Sequence, residues 1–186
     1  MGLRHAVLAA LCDDEYSGYQ LAKAFDVGVA NFWSASSQQL YSELTRLEQA
    51  GLISGREVIQ LDRPNKRVFT VTPAGLEELA KFAAADSKPL SFRDDLLVKI
   101  QVIDQLDPEP VIAQLEERAA EASAKLELFG QILLRLRGDL DEQTFLRRGE
   151  QIGPYLTCLG GIRFQQVVRD WSTTTAEVLG QRRGRS

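Results

Sequence analysis

Ser37, Gln38, Tyr41, Ser42 and Thr45 are the residues whose types and spacing most clearly suggest chemistry, and that chemistry is hydrogen bonding, not bond-making. At about 100° per residue, Gln38, Ser42, Thr45 and Gln49 share one face of a helix, with Tyr41 and Arg46 on its flanks. Glutamine can pair in two places with adenine, and serine or threonine hydroxyls can donate or accept, so such a face can read base edges in a major groove. The same residues could also do no more than meet water. A second group, Arg63, Lys66 and Arg67, lies within five residues, with Asp62 beside it. Cations clustered in this way can follow phosphates or enter a minor groove, or simply solvate a loop tip. Tyr19 and Arg46 are further candidates for phosphate contact, Arg46 with Glu43 three residues before it as a competing partner.

No constellation for catalysis or metal binding accompanies them. His5 is the sole histidine, and Cys12 and Cys158 lie far apart, so neither ligand spacing nor a disulfide framework is visible. Glycine-rich phosphate loops are missing too. The acidic groups Asp13-Asp14-Glu15 and Asp94-Asp95 fall at helix ends or first turns, where dipole and solvation explain them. The expectation is a non-enzyme without cofactor or metal. Nothing basic clusters beside either cysteine, so buried apolar cysteines are expected over a redox switch.

Charge constrains the partner. The net charge is −4; residues 1–88 hold 9 Lys/Arg against 11 Asp/Glu and the remainder 13 against 15, so each part carries −2. Any nucleic-acid surface must therefore be a local patch. With 44% hydrophobic and 26% charged residues the chain can bury a core. Its apolar runs fall short of the ~18–20 residues that span a bilayer, and the short apolar N-terminus runs into acidic residues instead of a cleavage site. A cytoplasmic protein with reduced thiols and no membrane partner is expected.

The elements that must position these residues can be traced in order. Leu3 to Cys12 predicts a short buried helix. Ser17 with Gln20 forms a capping box for a second helix, with Tyr16 positioned to staple onto Leu21 and an apolar face of Leu21, Ala22 and Phe25. Ser36 with Gln39 repeats the device for a third, whose buried stripe is Leu40, Leu44 and Leu47 and whose stop is Gly51. Two β-prone runs, 52–61 and 67–72, flank Asp62-Arg-Pro-Asn-Lys66 and predict a hairpin. Thr72-Pro73 then opens a helix with a face of Leu76, Leu79, Ala80 and Ala83. Three helices, a hairpin and a helix make a winged helix-turn-helix.

Beyond Lys88-Pro89 the pattern becomes helical throughout. Phe92, Leu96, Ile100 and Ile103 mark a short amphipathic helix, and Asp107-Pro108 caps a long one. Along that helix Val111, Leu115, Ala119, Ala122, Leu126, Phe129, Leu133 and Leu136 alternate spacings of four and three, the periodicity of a coiled-coil seam. Gly138-Asp139 breaks it. A last helical region, expected to be interrupted near Gly153-Pro154, carries Phe164, Val168, Trp171 and Leu179, and the tail from Gln181 is expected to fray. The seam and Phe164, Val168 and Trp171 suit a dimer interface; an intramolecular helical hairpin would use the same stripe.

The fragments Leu3-Arg-His-Ala-Val-Leu, Ser17-Gly-Tyr-Gln-Leu, Asn31-Phe-Trp-Ser-Ala-Ser, Gln39-Leu-Tyr-Ser-Glu-Leu-Thr-Arg-Leu-Glu, Gly51-Leu-Ile and Arg63-Pro-Asn-Lys-Arg-Val-Phe-Thr-Val-Thr-Pro-Ala-Gly75, in this order and spacing, resemble the PadR family of bacterial transcriptional regulators. The segment Pro89-Leu-Ser-Phe-Arg-Asp-Asp-Leu-Leu-Val-Lys looks like the start of the longer helical C-terminal domain of the larger members. The resemblance implies a mainly α protein with a small β-hairpin, divided into a winged helix-turn-helix DNA-binding domain (1–88) and a helical, coiled-coil-like dimerisation and effector domain (89–186). It further implies a homodimer on double-stranded operator DNA, a repressor by family habit, often released by a small phenolic or drug-like effector. Phe32, Trp33, Phe92 and Trp171 are candidate walls for such an effector, although aromatic residues of this kind are more often ordinary core. The rival reading is a winged helix used for contact with another protein, which the acidic charge allows.

Overall fold

The computed structural model describes residues 2–12, 14–27, 33, 35–59, 65–87, 89, 93–150 and 152–183. They divide into two compact units, 1–89 and 90–186.

In the first unit, helices α1 (Gly2–Ala10), α2 (Gly18–Val27) and α3 (Ser37–Gln49) enclose one core. Leu8, Leu21, Phe25, Leu40, Leu44, Leu47 and Ile53 are all buried in it. Each such side chain contributes roughly 1.5–3 kcal/mol by leaving water. Both predicted capping boxes are present. Gln20 Oε1 accepts from the Ser17 N–H (3.1 Å) while Ser17 Oγ accepts from the Gln20 N–H (3.3 Å). Gln39 Oε1 accepts from the Ser36 N–H (2.8 Å) and Ser36 Oγ from the Gln39 N–H (3.3 Å). Tyr16 packs against the cluster that holds Leu21, as a staple would. Gly51 ends α3 at φ +70°, the left-handed conformation that favours glycine.

The hairpin is β2 (Ile53–Val58) with β3 (Lys66–Val71), in register from Ile53↔Val71 to Val58↔Lys66. A third strand, β1 (Tyr16–Ser17), pairs antiparallel with β3 through Tyr16↔Phe69 and Ser17↔Val68, giving the order β1-β3-β2. Two residues are too short for any periodicity to announce, so this pairing is invisible in the sequence. Thr72 Oγ1 caps α4 (Pro73–Ala84) by accepting from the Gly75 N–H (3.2 Å) and donates to the Gly51 carbonyl (2.7 Å), tying the end of α3 to the start of α4.

The expected apolar face of α4 is not a buried face. Leu76 is 50% exposed, Ala80 and Ala83 are exposed, and Leu79 alone of the four packs on the core. The close contact is made by Gly75, where a Cβ would lie 2.2 Å from the Leu52 carbonyl oxygen. The helix therefore approaches the sheet backbone to backbone, and its leucine at 76 turns away. On its other side Glu78 meets the buried His5 (Nε2 to Oε1, 3.2 Å), and Phe82 stacks on that imidazole with centroids 4.0 Å apart.

The second unit is helical among its described residues. Asp94 caps α5 (Asp95–Gln101), its Oδ1 accepting from the Leu96 N–H (3.0 Å). After a 3-10 turn at Ile103–Gln105 the chain enters α6 (Glu109–Arg137), near whose start Asp107 accepts from the Glu109 N–H (3.1 Å). Gly138 (φ +58°) ends α6, and Asp141 caps α7 (Glu142–Arg148), leading to α8 (Ile152–Arg183). The expected interruption near Gly153-Pro154 comes a few residues earlier, at Gly149 and Glu150 between α7 and α8. Pro154 is the third residue of α8, in the first turn, where a missing N–H costs nothing. No described helix is long and apolar enough to cross a membrane.

The seam of α6 faces inward. Val111, Leu115, Ala122 and Phe129 are buried within the single chain, while Ala119, Leu126, Leu133 and Leu136 are partly buried. Val111 and Leu115 cluster with Ala176 and Leu179, and the buried Cys158 donates to the Phe129 carbonyl (3.5 Å), so α6 and α8 run antiparallel. The residues assigned from spacing to a dimer contact thus belong chiefly to an intramolecular hairpin. Spacings of four and three demand a neighbouring helix without saying whose.

Candidate nucleic-acid interface

Ser37, Gln38, Tyr41, Ser42, Thr45 and Arg46 are all exposed on α3, on the side away from Leu40, Leu44 and Leu47. The structure thus brings together the polar face predicted from the sequence. Two details limit what it can do. Thr45 Oγ1 donates to the Tyr41 carbonyl (3.1 Å), leaving that hydroxyl to act as an acceptor. The Tyr41 ring sits on Gly18 in the first turn of α2: a Cβ there would lie 2.2 Å from Tyr41 Cε1. Gly18, to which the sequence analysis gave no role of its own, therefore seats one side chain of this polar face. Its neighbour Tyr19 is 72% exposed.

On the wing, Lys66 opens β3 and Asn65 Nδ2 donates to Glu57 Oε1 (3.1 Å). Arg63 lies outside the described residues. Arg67 departs from expectation, because it is not a loose tip cation. Its Nη2 donates to Glu48 Oε1 at 2.7 Å, and its guanidinium lies 5.9 Å from the Phe69 ring centroid. The Gly55 N–H donates to the same Glu48 oxygen at 2.9 Å. Arg56 on β2 pairs with Glu15, and Arg46 with Glu43 at 3.5 Å. Lys66 has no ion-pair partner among the described residues.

Glu48, Gly55 and Arg56 were not singled out by sequence reasoning, and Glu15 was read only as part of an acidic group at a helix end. Two of them left a signal. A carboxylate in the last turn of a helix opposes the dipole, and a glycine inside a strand marks a close approach. Glu15 and Arg56 are 41 residues apart and left none.

The effector candidates Phe32 and Phe92 lie outside the described residues. Trp33 rests on Gly2 of α1, where a Cβ would lie 1.6 Å from its ring, and Trp171 packs against the cluster of Leu96, Val111 and Leu115 in the other unit. The grooves in the second unit have different linings. One of about 430 Å³ is lined by charged residues around Asp94 and Arg118, the other of about 490 Å³ by Ile112, Ala119 and Ala176 with Glu116 and Glu177. Asp94 and Arg118 are joined by two hydrogen bonds, Nη2 to Oδ1 at 2.9 Å. That guanidinium holds the Asp94 carboxyl below the usual carboxylate range. Trp171, Phe164 and Val168 all lie on α8, Phe164 exposed and the other two partly buried.

Comparison with known proteins agrees with this architecture. Residues 7–81 match the model of the PadR-like transcriptional regulator family, and residues 92–180 that of the virulence activator alpha C-terminal domain. A probable transcriptional regulator of Mycobacterium tuberculosis is 31% identical over 98% of this chain and the whole of its own length. The negative transcriptional regulator PadR of Bacillus subtilis is 30% identical over 67% of this chain and 69% of its own. Crystal structures of the Bacillus subtilis protein share the fold. Its complex with operator DNA superposes with a TM-score of 0.74 at 23% identity (96% of this chain, 99% of that one), and its complex with p-coumaric acid with 0.68 at 23% (96% and 95%). From its winged helix-turn-helix to its paired C-terminal helices, the chain belongs to the PadR-like family of transcriptional regulators.

Proposed function

We propose that this chain is a non-catalytic, cytoplasmic repressor that binds a pseudo-palindromic operator as a homodimer. The observation that carries the reading is the exposed row of Ser37, Gln38, Tyr41, Ser42 and Thr45 on α3, with Lys66 on the adjoining hairpin. A helix placed in the major groove meets base edges with its N-terminal residues, and the wing beside it meets the backbone. Tyr19 and Arg46, exposed on α2 and α3, are assigned to phosphates, as are Lys66 and, by its place in the sequence, Arg63, whereas Arg67 is held by Glu48. That Bacillus subtilis PadR was crystallised on operator DNA supports the assignment.

One such unit offers few cations, so two are needed, with half-sites about 34 Å apart. With the α6 seam filled by α8, we assign the dimer contact to the outward face of α8. Leu156, Val167 and Val178 fall on one side of that helix and are at least half exposed, with Phe164 and Trp171 beside them. A small aromatic effector, the class exemplified by the p-coumaric acid bound to Bacillus subtilis PadR, would release the operator by favouring one arrangement of the reading heads.

The test is fluorescence anisotropy on duplex DNA from the gene's own upstream region against a shuffled duplex, across a salt series. Preference for the first, with affinity falling linearly in log salt, is expected. Equal binding to both duplexes without a salt slope would transfer the winged helix to a protein partner. Charge reversal at Lys66 would then leave its contacts intact.

A further inference from the structure

We infer that Glu48 makes the wing a specificity element while lowering the protein's affinity for DNA in general; the inference rests on the DNA-binding reading above. The position is unusual on two counts. Glu48 sits in the last turn of α3, where the helix dipole disfavours a carboxylate, and on the unit assigned to phosphates, where a cation would serve better. Its Oε1 nevertheless takes two hydrogen bonds from the hairpin, one from the Gly55 N–H of β2 (2.9 Å) and one from Arg67 Nη2 of β3 (2.7 Å). A single oxygen thus fastens both strands of the wing to the reading helix.

The surroundings are built for that oxygen. At Gly55 a Cβ would lie 2.5 Å from Glu48 Oε1, 2.5 Å from Arg67 Nε and 3.0 Å from Phe69 Cε1, so no other residue fits without displacing the junction. Gly55 and Phe69 are cross-strand partners, and Glu57 and Arg67 the next pair facing the same way. Arg67 therefore leans one pleat along the sheet to reach the carboxylate, passing over the Phe69 ring. Global stability does not account for the arrangement. The Arg67 side chain is 58% exposed and that of Glu48 30%, and pairs so open to solvent contribute little to folding.

What the junction does determine is where the wing points and how much positive charge it presents. With Arg67 satisfied by Glu48, its guanidinium is withheld from any phosphate that happens to approach. Arg56 with Glu15 and Arg46 with Glu43 repeat the pattern, so non-specific attraction is muted across this unit. A duplex that fits both α3 and the fixed wing gains contacts that a misfitting duplex cannot.

The experiment uses the full-length protein, an operator duplex and a shuffled duplex of equal length, read by anisotropy across a salt series. Glu48→Gln keeps an acceptor for Gly55 and cancels the charge that holds Arg67. It is expected to bind the shuffled duplex several-fold more tightly, with a log–log salt slope steeper by about one phosphate contact per protomer. The operator-to-shuffled preference should fall about tenfold. Adding Arg67→Gln should return the shuffled-duplex affinity and slope to wild-type values, since the released guanidinium is the cause. Glu48→Ala, which also strips Gly55 of its acceptor, should lose still more preference. Parallel weakening on both duplexes, or no change on either, would overturn the inference. A wild-type protein with no operator preference would instead refute the DNA-binding reading beneath it.

Discussion

The ring of Tyr41 occupies the space that a side chain at Gly18 would need, with Cε1 2.2 Å from the ideal Cβ position. The first turn of α2 and the exposed polar face of α3 are thereby locked together. Replacing a glycine by alanine at a helix start ordinarily raises stability by about 0.4–1 kcal/mol, because the unfolded chain is restricted. Here overpacking should reverse the sign and cost about 1–3 kcal/mol. Urea unfolding of Gly18→Ala is expected to show that loss, with weaker operator binding because Tyr41 is displaced. A variant as stable as wild type, with wild-type affinity, would mean that the ring swings away freely.

Leu115 and Val167 separate the inner from the outer face of the helical unit. Leu115 is fully buried between α6 and α8, so Leu115→Ala should cost about 2–5 kcal/mol in chemical denaturation. Val167 is 68% exposed on the outward face of α8. Val167→Asp is expected to yield monomers by light scattering at concentrations where wild type is dimeric. A dimeric Val167→Asp protein would relocate the interface.

Asp94 predicts an acid limit. Its carboxyl is held below the usual range first by the hydrogen bond from Arg118, with the Leu96 N–H and the guanidinium charge adding to that and burial opposing it. A folded value below the unfolded one means that the stabilisation is present above about pH 4 and is lost as pH falls through the folded value. Asp94→Asn should be less stable at neutral pH by about 1–2 kcal/mol through the weakened cap and pair. Its urea midpoint should also change less than that of wild type between roughly pH 5 and pH 2. Equal acid sensitivity of the two proteins would assign the limit to other carboxylates.

The thiols should react at different rates. Cys12 is exposed, whereas Cys158 is buried and its thiol is pushed up by desolvation. Thiolate is the reactive form, so a disulfide reagent at neutral pH is expected to give a fast and a slow phase. Cys12→Ser should leave the slow one. A fast phase surviving in Cys12→Ser would show the α6–α8 seam opening around Phe129.

Much of the first unit is legible in the sequence. Ser17 with Gln20, Ser36 with Gln39, Thr72-Pro73 and Gly51 are local signals, because capping and left-handed turns involve residues three or four apart. The stripe Leu40, Leu44 and Leu47 fixed which side of α3 is buried, and with it the outward polar row. Relations across long stretches of chain were not legible. The β1–β3 pairing joins residues more than fifty apart, and the burial of α4 depends on backbone approach at Gly75 more than on its leucines.

The order of elements, the exposed polar face of α3 and the need of α6 for a helical neighbour follow from the sequence alone, since each comes from periodicity and chain-local hydrogen bonding. Tertiary structure decided the rest. α8 of the same chain became that neighbour, because the turns around α7 return the chain antiparallel to α6. Arg67, in sequence a member of a basic cluster, became the partner of Glu48, because strand register carries it to the end of the reading helix. Charge pairing depends on distance in space, and periodicity along the chain holds no record of it.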